Sequence, residues 1–155
     1  MDTMTLKRLF DLIDRQREAH KELRTALLDQ QTALRRFDTR RLEQLGRRCD
    51  ALGERIAELE QARRNLTGLN VRLSELAATL GEPDRSRLTA AAMGLRQLAA
   101  DVASINRINA SAVHNMLNHF HQVYQMIASA GRTTGYGASG QADKATGAFL
   151  VDAVA

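Results

Sequence analysis

Three histidines close together, His114, His119 and His121, are the densest group of side chains in this sequence that could bind a metal or move a proton. His114 and His121 are seven residues apart and so share one face of a helix. A metal centre needs three or four ligands, and no carboxylate or cysteine falls on that turn to complete a shell. The Glu-x-x-His pairs that build carboxylate-bridged centres inside helical bundles are also missing. These histidines therefore read as polar fillers of a helix surface. The single cysteine, Cys49, has no partner for an internal disulfide and falls in an apolar repeat, where a buried, inert thiol is expected. Gly135, Gly137 and Gly140 follow no strand, so they do not form a phosphate-cradling loop. The sequence holds no catalytic constellation and implies no metal or cofactor. It reads as a binding protein, not an enzyme.

Composition points the same way. The chain has 155 residues, 44% of them hydrophobic, with one proline and no tryptophan. That is one domain's worth of sequence with enough apolar surface for a core, rich in residues that favour helices. No charged-then-apolar leader and no long apolar run are present, so the expectation is a cytoplasmic protein without a membrane span. A formal charge of +4 invites a nucleic-acid reading. The charges are interleaved, however, as at Arg15, Arg17, Glu18, Lys21 and Glu22, which suits solvated helix faces. The one dense basic stretch, from Arg35 to Arg48, has no aromatic besides Phe37 on which bases could stack. It is read as a solvated helix end, with no nucleic-acid partner.

Three periodic segments and a tail account for the chain. The first helix is expected over about residues 5–36, with Leu6, Leu9, Ile13, Leu23, Leu27, Leu34 and Phe37 on a seven-residue repeat that Gln16, His20 and Gln30 complete. Asp2 or Thr3 can cap its start. A second helix follows the cap Asp38 and is expected over residues 39–80. Its seam runs Leu42, Leu45, Cys49, Leu52, Ile56, Leu59, Arg63, Leu66, Asn70, Leu73, Ala77, Leu80. Arg63 and Asn70 interrupt that seam, either to fix register or as side chains that reach past the core. Gly81-Glu82-Pro83-Asp84 is a stop, a turn and a new cap. A third helix is expected over residues 84–130, with a broad apolar stripe that includes Leu88, Leu95, Val102, Ile105, Val113 and Ile127. Short connections make neighbours antiparallel, which gives an all-α, long antiparallel three-helix bundle or coiled-coil-like hairpin over residues 1–130. Residues 131–155 are glycine-rich and read as a flexible tail. Because the first helix is shorter than the others, the junction of the second and third is expected to project beyond it and to leave apolar seam for a partner helix or a second copy.

Asn106, Asn109, Asn115 and Asn118 are unusual on a helix, since the amide demands partners and favours other conformations. Beside Ile105, Ile108, Met116 and Phe120 they leave two readings open. One is a face that is wet when free and buried when occupied; the other is hydrogen bonding across the bundle to Gln16, His20 or Gln30.

The order of these features resembles the FlgN family of flagellar export chaperones. The resemblance rests on the leucine-rich first helix, the turn at Ala33, Leu34 and Asp38, the long second helix, the pair Asn106 and Asn109 with apolar residues after it, and the Tyr136-Gly137 element ending at Gly140. It implies a cytoplasmic chaperone that holds the hook-associated proteins FlgK and FlgL unassembled and delivers them to export apparatus components. By position it implies client contacts at Asn106, Asn109, Val113, Met116, Leu117, Phe120 and Val123, with Tyr136, Gly137 and Gly140 docking to the export gate. Without the family, Tyr136 reads equally as an ordinary residue of a disordered end. The heptads alone also fit a coiled-coil structural or adaptor protein of the same machinery, and they leave room for a homo-oligomer.

Overall fold

A computed structural model describes residues 2–69 and 71–130, and every regular element among them is helical. α1 spans Thr3–Arg35, α2 Thr39–Thr67, α3 Leu73–Ala78 and α4 Asp84–Ala130. The chain divides into two units, Met1–Val113 and the residues from His114 onward.

In the first unit, α1 starts where Asp2 accepts from the Thr5 backbone N–H at 2.7 Å and from the Thr5 hydroxyl at 3.0 Å. This satisfies one of the free donors of the first turn. Its end is a Schellman motif: Asp38 N–H donates to the Ala33 carbonyl and Phe37 N–H to the Leu34 carbonyl. Phe37 takes the left-handed conformation at φ 54° and is 62% exposed. It was expected to close the α1 seam; the reversal of the chain carries it out instead. Asp38 then caps α2 by accepting from Arg41 N–H at 2.9 Å.

α1 and α2 pack as an antiparallel hairpin. Ala26 and Ala33 of α1 are buried against Leu45 and Leu52 of α2, with Leu23, Leu42 and Cys49 around them. Ala19, also buried, continues this column of small residues at a spacing of seven. Alanine on the facing side lets two helix axes approach closely and leaves no rotamers to freeze. Arg41 with Asp29 at 3.8 Å and Arg55 with Glu22 at 3.7 Å flank the hairpin. Both pairs are well exposed and add little to stability.

The second helix does not reach residue 80. It stops at Thr67, where Gly68 adopts φ 102° and its N–H closes onto the Arg64 carbonyl at 2.8 Å. Asn65, Thr67 and Gly68 are weak helix formers within four residues, and only glycine takes that backbone conformation without strain. The expected single helix is therefore two, and the fold has four helices where three were expected. The correction removes the projecting junction as well. Leu66, Leu73, Leu76 and Leu80 pack on a cluster of Leu6, Leu9, Ile13, Ala77 and Leu88, so the surplus length folds back over the start of α1. Arg85 fixes the turn by donating to the Leu80 and Ala78 carbonyls at 3.1 and 3.3 Å, while Glu82 accepts from the Ser86 hydroxyl at 2.7 Å.

α4 runs parallel to α1 through the first unit. Leu88 meets Leu9 and Ile13, the Arg87 guanidinium stacks over the Phe10 ring at 4.6 Å, and Asn109 reaches Leu27 and Gln30. Gly94 passes close to the Arg17 guanidinium, which an added Cβ would meet in ordinary contact at 3.6 Å. The second unit, by itself, is the helical segment 114–130. No helix among the described residues is long and apolar enough to cross a membrane.

Candidate functional site

The residues that could receive a partner are apolar side chains that the helices leave in water. In the segment 114–130, Leu117, Phe120, Tyr124 and Ile127 are all more than half exposed. Their spacing of three, four and three places them in one line along the helix. Met116 and Val123, seven apart, are half-buried beside that line. A run of large apolar groups this dense is rare on a solvated surface and is of the kind that can receive another polypeptide.

Of the expected client contacts, Leu117 and Phe120 stand in this line and Met116 and Val123 beside it. In the first unit, Asn106 and Val113 are exposed. Asn109 is different and is removed from the set. It is 3% exposed, and its Nδ2 donates to the Leu27 carbonyl and to Gln30 Oε1, both at 2.9 Å. A buried amide must find partners, and Asn109 finds them on α1, so the cross-bundle reading holds at this position. Gln30 is the partner among the three polar seam residues considered. His20 instead bonds the Gln16 carbonyl of its own helix through Nδ1 at 2.8 Å. Asn118 pairs locally with His114 Nε2 at 3.1 Å.

Tyr124 was passed over in sequence because the stripe was traced from Phe120 through Val123 to Ile127. Counting back by threes and fours from Ile127 would have found it. Tyr136, Gly137 and Gly140 lie outside the described residues.

Among the described residues no cluster of three or more histidine, cysteine or acidic side chains could hold a metal ion. Cys49 is half-buried against the α1–α2 core, and desolvation raises its pKa first, with Asp50 adding to the effect. The thiol form is thus favoured, and the group is a packing element rather than a nucleophile. Arg35 and Arg36 end α1, and Arg40, Arg41, Arg47 and Arg48 open α2. Arg41 pairs with Asp29, and Arg47 with Glu43 at 2.7 Å. All six arginines are exposed to solvent.

No curated protein sequence and no solved structure is matched by this chain. The sequence pattern of one family is matched, that of the FlgN protein, over residues 1–144. That span takes in all four helices, the exposed stripe on α4 and the Tyr-Gly element beyond it, and the chain belongs to the FlgN protein family, a family of flagellar export chaperones.

Proposed function

We propose that this chain holds the hook-associated proteins FlgK and FlgL unassembled in the cytoplasm and hands them to components of the export apparatus. The observation that carries the reading is the exposed line Leu117, Phe120, Tyr124 and Ile127. Clients of this kind would use terminal helices that pack together once assembled, so a free monomer presents an apolar face prone to self-association. A helix with an apolar line of matching length can occupy that face by seam packing. Burying one such side chain contributes roughly 1.5–3 kcal/mol, so a few of them, less the cost of association, give a moderate and reversible affinity. Met116, with Asn106 and Val113 earlier on α4, would adapt to the client and orient it. Tyr136, with Gly137 and Gly140, would supply a short docking element for the export gate.

The test is calorimetric titration of the full chain with purified FlgK and FlgL, alongside sedimentation of the chain alone, since a second copy could compete for the same line. No complex with either protein would end the proposal. The α1–α2 heptad hairpin also suits a rod-like adaptor of the same machinery. Deleting residues 131–155 separates the two readings: a rod keeps its function, whereas a chaperone keeps client binding and loses delivery.

A further inference from the structure

The first unit contains a cavity of about 660 Å³ between the last turns of α2, the segment leading to α3 and the early turns of α4. Its size is that of a ligand site rather than a packing flaw. Arg63, Arg64, Arg72 and Arg96 line it, and Glu60 is the one acidic residue among its lining groups. Glu60 is already engaged by Arg64 at 2.5 Å, and Arg63 reaches it only at 3.8 Å.

Two lining groups are left short of partners. The Arg63 side chain is 14% exposed, and its Nε is sealed from water with no acceptor. Gln16 is 3% exposed, and its Oε1 has no donor. A guanidinium held so far from water with one long ion pair is completed by a planar carboxylate, which can accept from it twice. An amide oxygen needs the opposite, an N–H. Inorganic phosphate carries its acceptors and its one or two O–H donors on a single small ion, whereas a peptide brings a side-chain carboxylate and, at a distance from it, backbone N–H groups that can meet both lining groups at once. At the rim, Leu69 and Met93 are exposed and give the cavity an apolar lip beside its cationic wall.

We infer that this cavity binds an acidic peptide segment of a partner protein, one in which a carboxylate side chain stands next to an aliphatic one. The carboxylate lies against Arg63 and Arg96, the aliphatic group against Leu69 and Met93, and a peptide N–H turns toward the Gln16 amide. All of these residues belong to the first unit, and the inference does not rest on the client reading of the α4 stripe.

The experiment uses the full chain and a fluorescein-labelled, end-blocked peptide of sequence Leu-Glu-Asp-Leu-Glu, followed by fluorescence anisotropy. Its Gln and Asn counterpart and inorganic phosphate serve as comparisons. The acidic peptide should bind, and its neutral counterpart should bind at least about tenfold more weakly, a difference of about 1.4 kcal/mol. Arg96→Gln, at the exposed rim, should weaken binding by a similar factor without moving the melting midpoint, and Arg63→Met should do so at the wall. Arg24→Gln, outside the cavity, should leave affinity unchanged. If Arg63→Met fails to fold, Arg96→Gln and Arg72→Gln carry the test. The inference is overturned if no binding is seen up to about 1 mM, if the neutral peptide binds equally, if the rim variants bind like the parent, or if phosphate displaces the peptide at matching concentration.

Discussion

Replacing Asn109 with aspartate changes one NH2 group into an oxygen at almost constant volume, at a position 3% exposed. Asn109 Nδ2 donates to the Leu27 carbonyl and to Gln30 Oε1, and Asn109 Oδ1 is already sealed without a donor. Asn109→Asp therefore removes two neutral hydrogen bonds, worth about 1 kcal/mol each. It also leaves a carboxylate out of water facing a carbonyl oxygen, which adds a few kcal/mol more. The expected loss at neutral pH is about 3–5 kcal/mol, a large part of the roughly 5–15 kcal/mol that holds a domain together. Asn109→Ala loses the same bonds but also deletes the unsatisfied oxygen, so its cost falls to about 1 kcal/mol. Burial disfavours the charged form of the introduced carboxyl, so its folded-state pKa lies above the unfolded value of about 3.9. The destabilisation is then complete above the folded value and fades as pH falls toward about 4, where the protonated acid can donate to Leu27. Urea unfolding followed by circular dichroism, on variant and parent at neutral and acid pH, reads this as a difference in which the other carboxylates cancel. A variant as stable as its parent at neutral pH, or a gap that stays open in acid, would refute the placement of Asn109 between α4 and α1.

Leu117→Asp should lower client affinity about ten- to a hundredfold by forfeiting roughly 1.5–3 kcal/mol of burial, with no change in melting midpoint because Leu117 is exposed in the free chain. Calorimetry and thermal melts check this, and unaltered affinity would count against the stripe. Gly68→Ala should destabilise the fold by about 1–3 kcal/mol, since Gly68 has φ 102° and an added Cβ would sit 3.2 Å from Val71 Cγ2. Equal unfolding midpoints for Gly68→Ala and parent would mean that the left-handed turn is not required. Thr5 N–H and then the Thr5 hydroxyl hold the Asp2 carboxyl below its ordinary value of 3.8. A depressed carboxylate supports the first turn above its unfolded value and gives that support up as pH falls through the lower folded value. The Thr5 amide resonance should report this step, and Asp2→Ala should erase it; a titration that persists in the variant belongs to another group.

Much of the architecture could be read from spacing alone. The α1 seam, the Asp38 cap and the Gly81-Pro83 turn are local signals, and each depends on residues within a few positions of one another. The break at Gly68 escaped because Leu66, Leu73, Ala77 and Leu80 keep the same seven-residue phase on both sides of it. Periodicity registers which residues are apolar, and a chain that folds back without losing phase looks continuous. The weak helix formers from Asn65 to Val71 were the available clue. The alanine column at 19, 26 and 33 escaped for another reason: the repeat was traced through the large side chains, and methyl groups carry little weight in an apolar pattern although these recur every seven residues. The cavity beside Arg63 brings Gln16, Arg63, Leu69 and Arg96 together from separate stretches of chain, and no pattern in one stretch announces it. Its one trace was a cation at a seam position. For Asn109, sequence supplied three candidate partners on α1, and only the parallel register of α4 selects Gln30.

The alanine column between α1 and α2 also bears on the order of events as the chain is made. Methyl groups surrender no side-chain entropy when they meet, and a connection of three residues, Arg36 to Asp38, closes the hairpin across a short loop. The bonds from Asn109 to α1 span 79 and 82 residues, so α4 can join only after most of the polypeptide exists. Native-state hydrogen exchange should show slower amides in α1 and α2 than in residues 84–113 of α4, and equal protection would refute the sequence of steps. On this account the growing polypeptide emerges with its α1–α2 platform already built before the residues of α4 that complete the first unit are synthesised.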